Sequence, residues 1–324
     1  MRPADPALPL VFDRADALRA GLSEGQVRRR AAARWDRLRR GHFTAARLTD
    51  EDRWRAAVLA VLRAHQRPLV LSHSAAARAW GLPSPIGGWP ATTFTSVTRP
   101  ARRAAGCVVL AAPLSPADIV TLGAVQVTSV ARTVVDCARS LPPRDALAIA
   151  DAALHRGLTD RTALAAALAE EHGWWGVSRA RQVLDLVDGR RETPLESWSA
   201  WAFAVHAVPA PAWQVTITDS GGVFLGRVDS WWDDGVAGEA DGDLKYRLAA
   251  AERGGLTGEA LAAVVDDERR RERGLRRSGA QVVRWSAVDV LDDRRAEALA
   301  ALLLDELSRA DGHRFRGRAM LLGP

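Results

Sequence analysis

Lysine is almost missing from this chain. Lys245 stands alone, and every other member of the 45 Lys+Arg residues is arginine. Positive charge is therefore carried by planar guanidinium forks, and one compact, mobile ammonium is kept at a single place. Cysteine is nearly as scarce. Cys107 and Cys137 are the two, both in apolar runs, which excludes a disulfide framework and a cysteine-ligated zinc cluster. The seven histidines show no metal-ligand spacing, so zinc chemistry is not expected either. No apolar run is long enough to cross a bilayer, and the opening MRPADPALPLVF does not read as a signal peptide. A cytoplasmic protein without a membrane partner is the expectation.

What is present points to a folded, basic, multi-part protein. A hydrophobic content of 48% over 324 residues is ample for two or three cores. The formal net charge is +6. Arginines gather at Arg28-Arg29-Arg30, Arg34, Arg37 and Arg39-Arg40, and again at Arg269-Arg270-Arg271, Arg273 and Arg276-Arg277. One such run is most often a solvated helix face; two of them in one chain fit a polyanion partner.

The expected organisation is α/β (α+β) in three segments, residues 1–48, 49–192 and 193–324. In the first, Phe12, Ala15, Ala17 and Leu18 have helical spacing behind an Asp13 cap. Gly21-Leu22 breaks that helix, and Ser23 caps a second that runs through Gln26 to about Ala33. Trp35 to Thr44 then alternates apolar and basic residues, as a small wing strand would. In the second segment, Leu69–Leu71, Thr92–Val97, Cys107–Leu110 and Val125–Thr128 read as strands. His73 sits in a capping turn, where a structural role fits better than catalysis. Arg132 and Asp136 are spaced as an intrahelical ion pair. Arg190-Arg191-Glu192 reads as a linker into the last segment.

The helix, Gly-containing turn and Arg-rich helix of the first segment resemble the winged-helix N-terminus of AbiEi-type antitoxins, the DNA-binding halves of type IV toxin–antitoxin pairs. The resemblance covers about forty residues. It implies DNA binding through Gln26, Arg28, Arg29 and Arg30 on the second helix, with Arg39 and Arg40 on the wing. It also implies transcriptional repression, with a nucleotidyltransferase-like toxin as a further partner and a homodimer among the allowed assemblies. The pattern TSVARTVVDCARSL carries the likeness into the middle segment, by layout rather than by any reaction motif.

The third segment holds the chemistry. Thr193-Pro194-Leu195-Glu196 opens a helix with a capping box. Strands follow at Trp213–Thr218, where Gln214 can face the site, and at Val223–Ser230; a long helix from Leu256 to Arg277 precedes a strand at Gln281–Trp285. Between them lies GRVDSWWDDGVAGEADGDLKY, two strands turning at Asp233-Asp234-Gly235. Asp229 and Glu239 are equally far from Asp234, so an antiparallel hairpin makes them cross-strand neighbours, and Asp241 falls on the face of Glu239. Acids gathered in this way suit a divalent cation, although a generic DDG turn is more often a polar tip with solvated carboxylates.

Asp229 followed by Glu239-Ala240-Asp241 resembles the PD-(D/E)xK nuclease core, in particular the endonuclease-like domains related to very-short-patch-repair nucleases. The likeness spans roughly Thr193 to Leu307, and with it the expected third segment is a restriction-endonuclease-like core with a mixed central sheet. It implies Mg²⁺ held by Asp229, Glu239 and Asp241, with Glu196 a further site acid and cap at once. It also implies Lys245 orienting water, and Arg269 and Arg270 holding phosphates. One departure is plain, because Asp241 fills the usual lysine slot. The alternative is a non-catalytic repressor on a degenerate nuclease fold.

Overall fold

The computed structural model describes residues 8–65, 68–98, 100–104, 106–241, 270–310 and 315–321. Its architecture is mixed α/β. The chain divides into two compact units, Met1–Ala76 with Pro90–Ser129, and Ala77–Trp89 with Val130–Pro324. The three segments read from the sequence thus regroup into two. The helix–turn–helix start shares a unit with a sheet, and the helices from Val130 onward belong with the C-terminal sheet.

The first unit opens with β1 (Phe12–Asp13), α1 (Arg14–Arg19), α2 (Glu24–Ala33), β2 (Asp36–Arg39) and β3 (His42–Thr44). The strands pair antiparallel in the order β1-β3-β2. Asp13 and Ser23 cap the two helices, and in each case the third helical residue bonds back to the cap's backbone. Phe12, Trp35 and Phe43 close a small core over Ala17, Leu22 and Val27, with the Phe12 and Trp35 rings edge to face at 4.7 Å. After α3 (Asp50–Ala64) comes a six-stranded mixed sheet. Its strands are β4 (Val70–Leu71), β5 (Thr92–Ser96), β6 (Arg102–Ala104), β7 (Cys107–Ala111), β8 (Ile119–Leu122) and β9 (Val125–Thr128), in the order β6-β7-β5-β4-β9-β8. β6 and β8, which hydrophobic alternation does not reveal, are the two edges.

The chain passes from one unit to the other within α4 (His73–Ala79). The second unit continues with α5 (Val130–Ser140), α6 (Pro143–His155), α7 (Arg161–Glu170) and α8 (Val177–Asp185). Arg132 and Asp136 form the expected i,i+4 pair at 3.2 Å, inside a larger buried box. Arg132 and Arg139 each also reach Glu171, and both guanidiniums lie 4.9 Å from the Trp174 ring. Burial and the nearby Asp136 push the Glu171 carboxyl up to about 7 against those two arginines.

Within residues 190–192 the middle one is not solvated, although Glu192 is exposed. Arg191 is 5% exposed, pairs with Asp151 of α6 at 2.6 Å, donates to the Leu186 carbonyl and lies over Trp213. The passage into the last elements is therefore clamped to the helical layer. These elements are α9 (Pro194–Val205), β10 (Ala212–Asp219), β11 (Phe224–Trp232), β12 (Val236–Ala240), a helix over 270–277 (α10), β13 (Gln281–Trp285), α11 (Ala287–Leu291), α12 (Asp293–Arg309) and β14 (Gly317–Leu321). The sheet order is β13-β12-β11-β10-β14, with β12 and β13 parallel and the other neighbours antiparallel. Phe203 of α9 packs among the rings of Trp213, Trp232 and Trp285, which fixes that helix on the sheet. Among the described residues no helix is long and apolar enough to cross a membrane.

Candidate functional site

The site grows out of the β11–β12 hairpin. Its pairs are Ser230 with Gly238, Trp231 with Ala237 and Trp232 with Val236, a register centred on Asp234. The pairing stops there, one residue short of Asp229 and Glu239, and the Asp229 carboxylate takes the Ala240 N–H instead. Gly235 makes the reversal at φ +88. Gly238 is needed for contact rather than for its angle, because a Cβ there would overlap Ser230 Oγ and the Trp285 ring.

Asp229 is half-buried, and its Oδ2 accepts the Ala240 N–H at 2.8 Å. Among the described residues it has no ion-pair partner. Burial pushes its carboxyl up to about 6, with Glu196 and then Asp241 adding repulsion, against the Ala240 N–H and Arg271. Glu239 is 5% exposed and is gripped at both oxygens by Arg271, each bond 2.9 Å. Burial raises its pKa, with Arg271 opposing. Asp241 follows β12, donates its N–H to the Trp285 carbonyl and pairs with Arg284 at 3.0 Å.

Thr193 caps the helix, its Oγ1 accepting the Glu196 N–H at 3.3 Å, without the reciprocal bond of a capping box. The Glu196 carboxylate accepts from Thr193 Oγ1 at 2.9 Å and from the Glu192 N–H at 3.0 Å. It also lies close enough to Asp229 to be the largest charge acting on it. Gln214 faces this group, donating Nε2 to Glu196 Oε2 at 3.0 Å from a backbone with φ +58. Strand residues seldom adopt that angle without a constraint. On the far side of Gln214 a groove of about 570 Å³ opens between the end of α6, residues 188–192 and the first two strands.

The acids gather, but not as a bare ligand set. Among the described residues no three His, Cys, Asp or Glu side chains are grouped as metal ligands. Lys245 and Arg269 lie outside the described residues, and Arg270 is exposed at the start of α10. Arg271, two residues past Arg269, is the member of the basic run that enters the site. Its stem lies against Gly226, where a Cβ would stand 2.8 Å from Arg271 Cγ and Cδ, and its Nη1 also donates to the Arg227 carbonyl. Sequence reading treated the run as phosphate-holding surface. The available signal was Gly226, three residues before Asp229, whose bare backbone admits a crossing side chain.

In the first unit the residues expected on DNA divide into free and engaged ones. Arg28, Arg29 and Arg40 are exposed. Gln26 is spent locally, its Oε1 accepting the Ser23 N–H at 2.8 Å. Arg39 is half-buried and turned inward, its Nη1 at 3.5 Å from the carbonyls of Ala60 and Val61 at the end of α3. Arg30 is half-buried as well. Of the two wing arginines expected on DNA, Arg40 is the exposed one.

Two uncharacterised proteins of Mycobacterium tuberculosis, from strains CDC 1551 / Oshkosh and ATCC 25618 / H37Rv, are each 38% identical to this chain over 107 residues. That match covers 33% of this chain and 39% of theirs, so the chain spans about two fifths of the length of the curated relatives it matches. No family model and no solved structure matches the chain.

Proposed function

We propose that this chain is a cytoplasmic DNA-binding protein whose C-terminal sheet carries a Mg²⁺-dependent phosphodiester hydrolase site. One observation carries the reading. Asp229 is withdrawn from water, has no cation paired to it among the described residues, and is pressed by Glu196 and Asp241, while its own charge acts on Glu239. A fold keeps such a cluster at a cost to stability, and a bound cation relieves it.

The donor chemistry fits a hard cation, since all four groups offer carboxylate oxygens. Asp229, with Glu239 and Asp241, would hold it; bound there, the ion would acidify a water and offset charge on the phosphate. To hold a metal Glu239 would have to release Arg271, which already neutralises that carboxylate. Displaced from it, Arg271 can turn its fork to a phosphate oxygen. Asp229, at about pH 6 half-ionised, is mostly charged at neutral pH and can bind metal there. The exposed Arg28, Arg29 and Arg40 supply the phosphate contacts that hold a duplex to the first unit.

A second reading has its own support. Arg271 and Arg284 pair with Glu239 and Asp241, so two of the three expected ligands are already neutralised. This favours an AbiEi-like repressor on a nuclease-like sheet that does not turn over. Incubation of the full chain with plasmid and Mg²⁺ or Mn²⁺ separates the two. Hydrolysis predicts nicking that Asp229→Ala abolishes. Binding lost in Arg28→Ala/Arg29→Ala, with no nicking by the unmodified protein under either metal, leaves the repressor.

A further inference from the structure

The groove behind Gln214 has unmet hydrogen-bonding capacity of both kinds. Gln214 is 8% exposed, its Nε2 is committed to Glu196, and its Oε1 is buried with no partner. Arg190 Nε is likewise buried and without a hydrogen bond, although the same residue's backbone N–H donates to Asp188 Oδ1 at 3.0 Å. Unpartnered buried polar atoms occur elsewhere in the described residues, Trp35 Nε1 and Trp198 Nε1 among them, but Gln214 and Arg190 both line one groove, where a ligand can complete them. The wall supplies no net charge to select a phosphate. Arg161, Arg190 and Arg227 are balanced by Asp160, Asp188 and Glu192, and Arg227 is held by both oxygens of Glu192 at 2.8 Å each.

We propose that this groove is a nucleobase pocket, which takes the hydrogen-bonding edge of an unpaired base between Gln214 Oε1 and Arg190 Nε. Gln214 Oε1 can accept from a ligand, with one N–H of its amide nitrogen committed to Glu196, and Arg190 can only donate. The partner must therefore present a donor and an acceptor on one compact body, as the free edge of a base does. A volume of about 570 Å³ suits a ligand of that size. Gln214 joins this pocket to Glu196 and so to Asp229, which places an occupant beside the acid cluster. The proposal rests on the nucleic-acid reading only for the origin of the base. A strand held at the site and a free nucleoside offer the same edge.

The test uses the full chain in EDTA, so that no strand is cut. Fluorescence anisotropy compares a short single-stranded DNA with an abasic backbone of equal length and equal phosphate number, and a thermal-shift arm adds the four free nucleosides. A base-bearing strand bound about tenfold more tightly than the abasic one, with the ratio falling towards one in Gln214→Leu and in Arg190→Leu, supports the pocket and assigns its base to a strand. Stabilisation by a nucleoside that the same variants abolish, without a strand preference, supports it and assigns a free ligand. Circular dichroism checks that each variant is folded, and Arg190→Leu serves if Gln214→Leu is not. Equal affinities with no nucleoside effect, or a preference that both folded variants retain, overturns the proposal. Absence of nicking with Mn²⁺ alongside an intact base preference would sink hydrolysis and leave the pocket standing.

Discussion

At the scale of single residues, Asp229 is where stability and chemistry oppose each other. Its carboxyl is raised to about 6, above an ordinary aspartate near 4, so between those pH values the folded state holds a proton that the unfolded chain releases. The cost of ionising it in the fold is therefore absent below about pH 4 and complete above about pH 6. Asp229→Asn removes that cost and keeps an oxygen for the Ala240 N–H. It is expected to stabilise the protein by ~1–3 kcal/mol at pH 7.5, with the gain vanishing near pH 4, as read by urea unfolding at both pH values. No gain at pH 7.5 would mean that Asp229 is not under electrostatic strain. Gly226 makes a second prediction at this scale. Gly226→Ala puts a Cβ against the Arg271 stem at a backbone angle of φ +158 that side chains rarely adopt, so it adds backbone strain and pushes that flexible side chain off Glu239. The variant should stay folded by circular dichroism and match Arg271→Ala in whatever nucleic-acid binding or cleavage is measured. A Gly226→Ala protein that behaves as the unmodified one contradicts a role for Arg271 at the site.

At the scale of elements, the clamp at residues 188–192 decides whether α6 and the C-terminal sheet act together. Asp151 lies within α6, its carboxyl pushed up to about 6 by burial against the pull of Arg191. Arg191→Leu leaves that carboxyl buried and unpaired, and should cost about 3 kcal/mol of stability in denaturant unfolding, with Asp151→Asn added to it recovering part of the loss. A loss under about 0.5 kcal/mol would show the pair to be dispensable, as exposed pairs are. This clamp was not legible in the sequence, because Arg190-Arg191-Glu192 has the composition of an exposed linker and nothing local marks the middle residue as buried. The hairpin was legible to the residue, since a tight Asp-Asp-Gly turn fixes the register of both strands. Helix starts at Asp13, Ser23 and Thr193 were legible for the same kind of reason, a cap being a local device. The edge strands β6, β8 and β14 were not. β6 carries Arg102 and Arg103, and β14 leaves Met320 and Leu321 exposed, so neither has the alternation that burial of one face imposes.

At the scale of the whole molecule, the features that composition suggested fall in two units. One presents exposed arginines on a capped helix and a hairpin turn; the other brings Glu196 and Asp241 to bear on Asp229, with Arg271 on Glu239 and Arg284 on Asp241. Sequence spacing brought Asp229 and Glu239 together, but it could not show that arginines would hold two of the acids. Such pairings link β12 to α10 and β13 across more than thirty residues. The central claim is that the crowded carboxylates around Asp229 form a cation site, and titration of Mn²⁺ into the full chain, followed by calorimetry, tests it most directly. The account predicts saturable binding at pH 7.5 that Asp229→Ala removes and that weakens about tenfold by pH 5, as the Asp229 proton competes with the metal. Binding that is absent at pH 7.5, or that survives unchanged in Asp229→Ala, would contradict it.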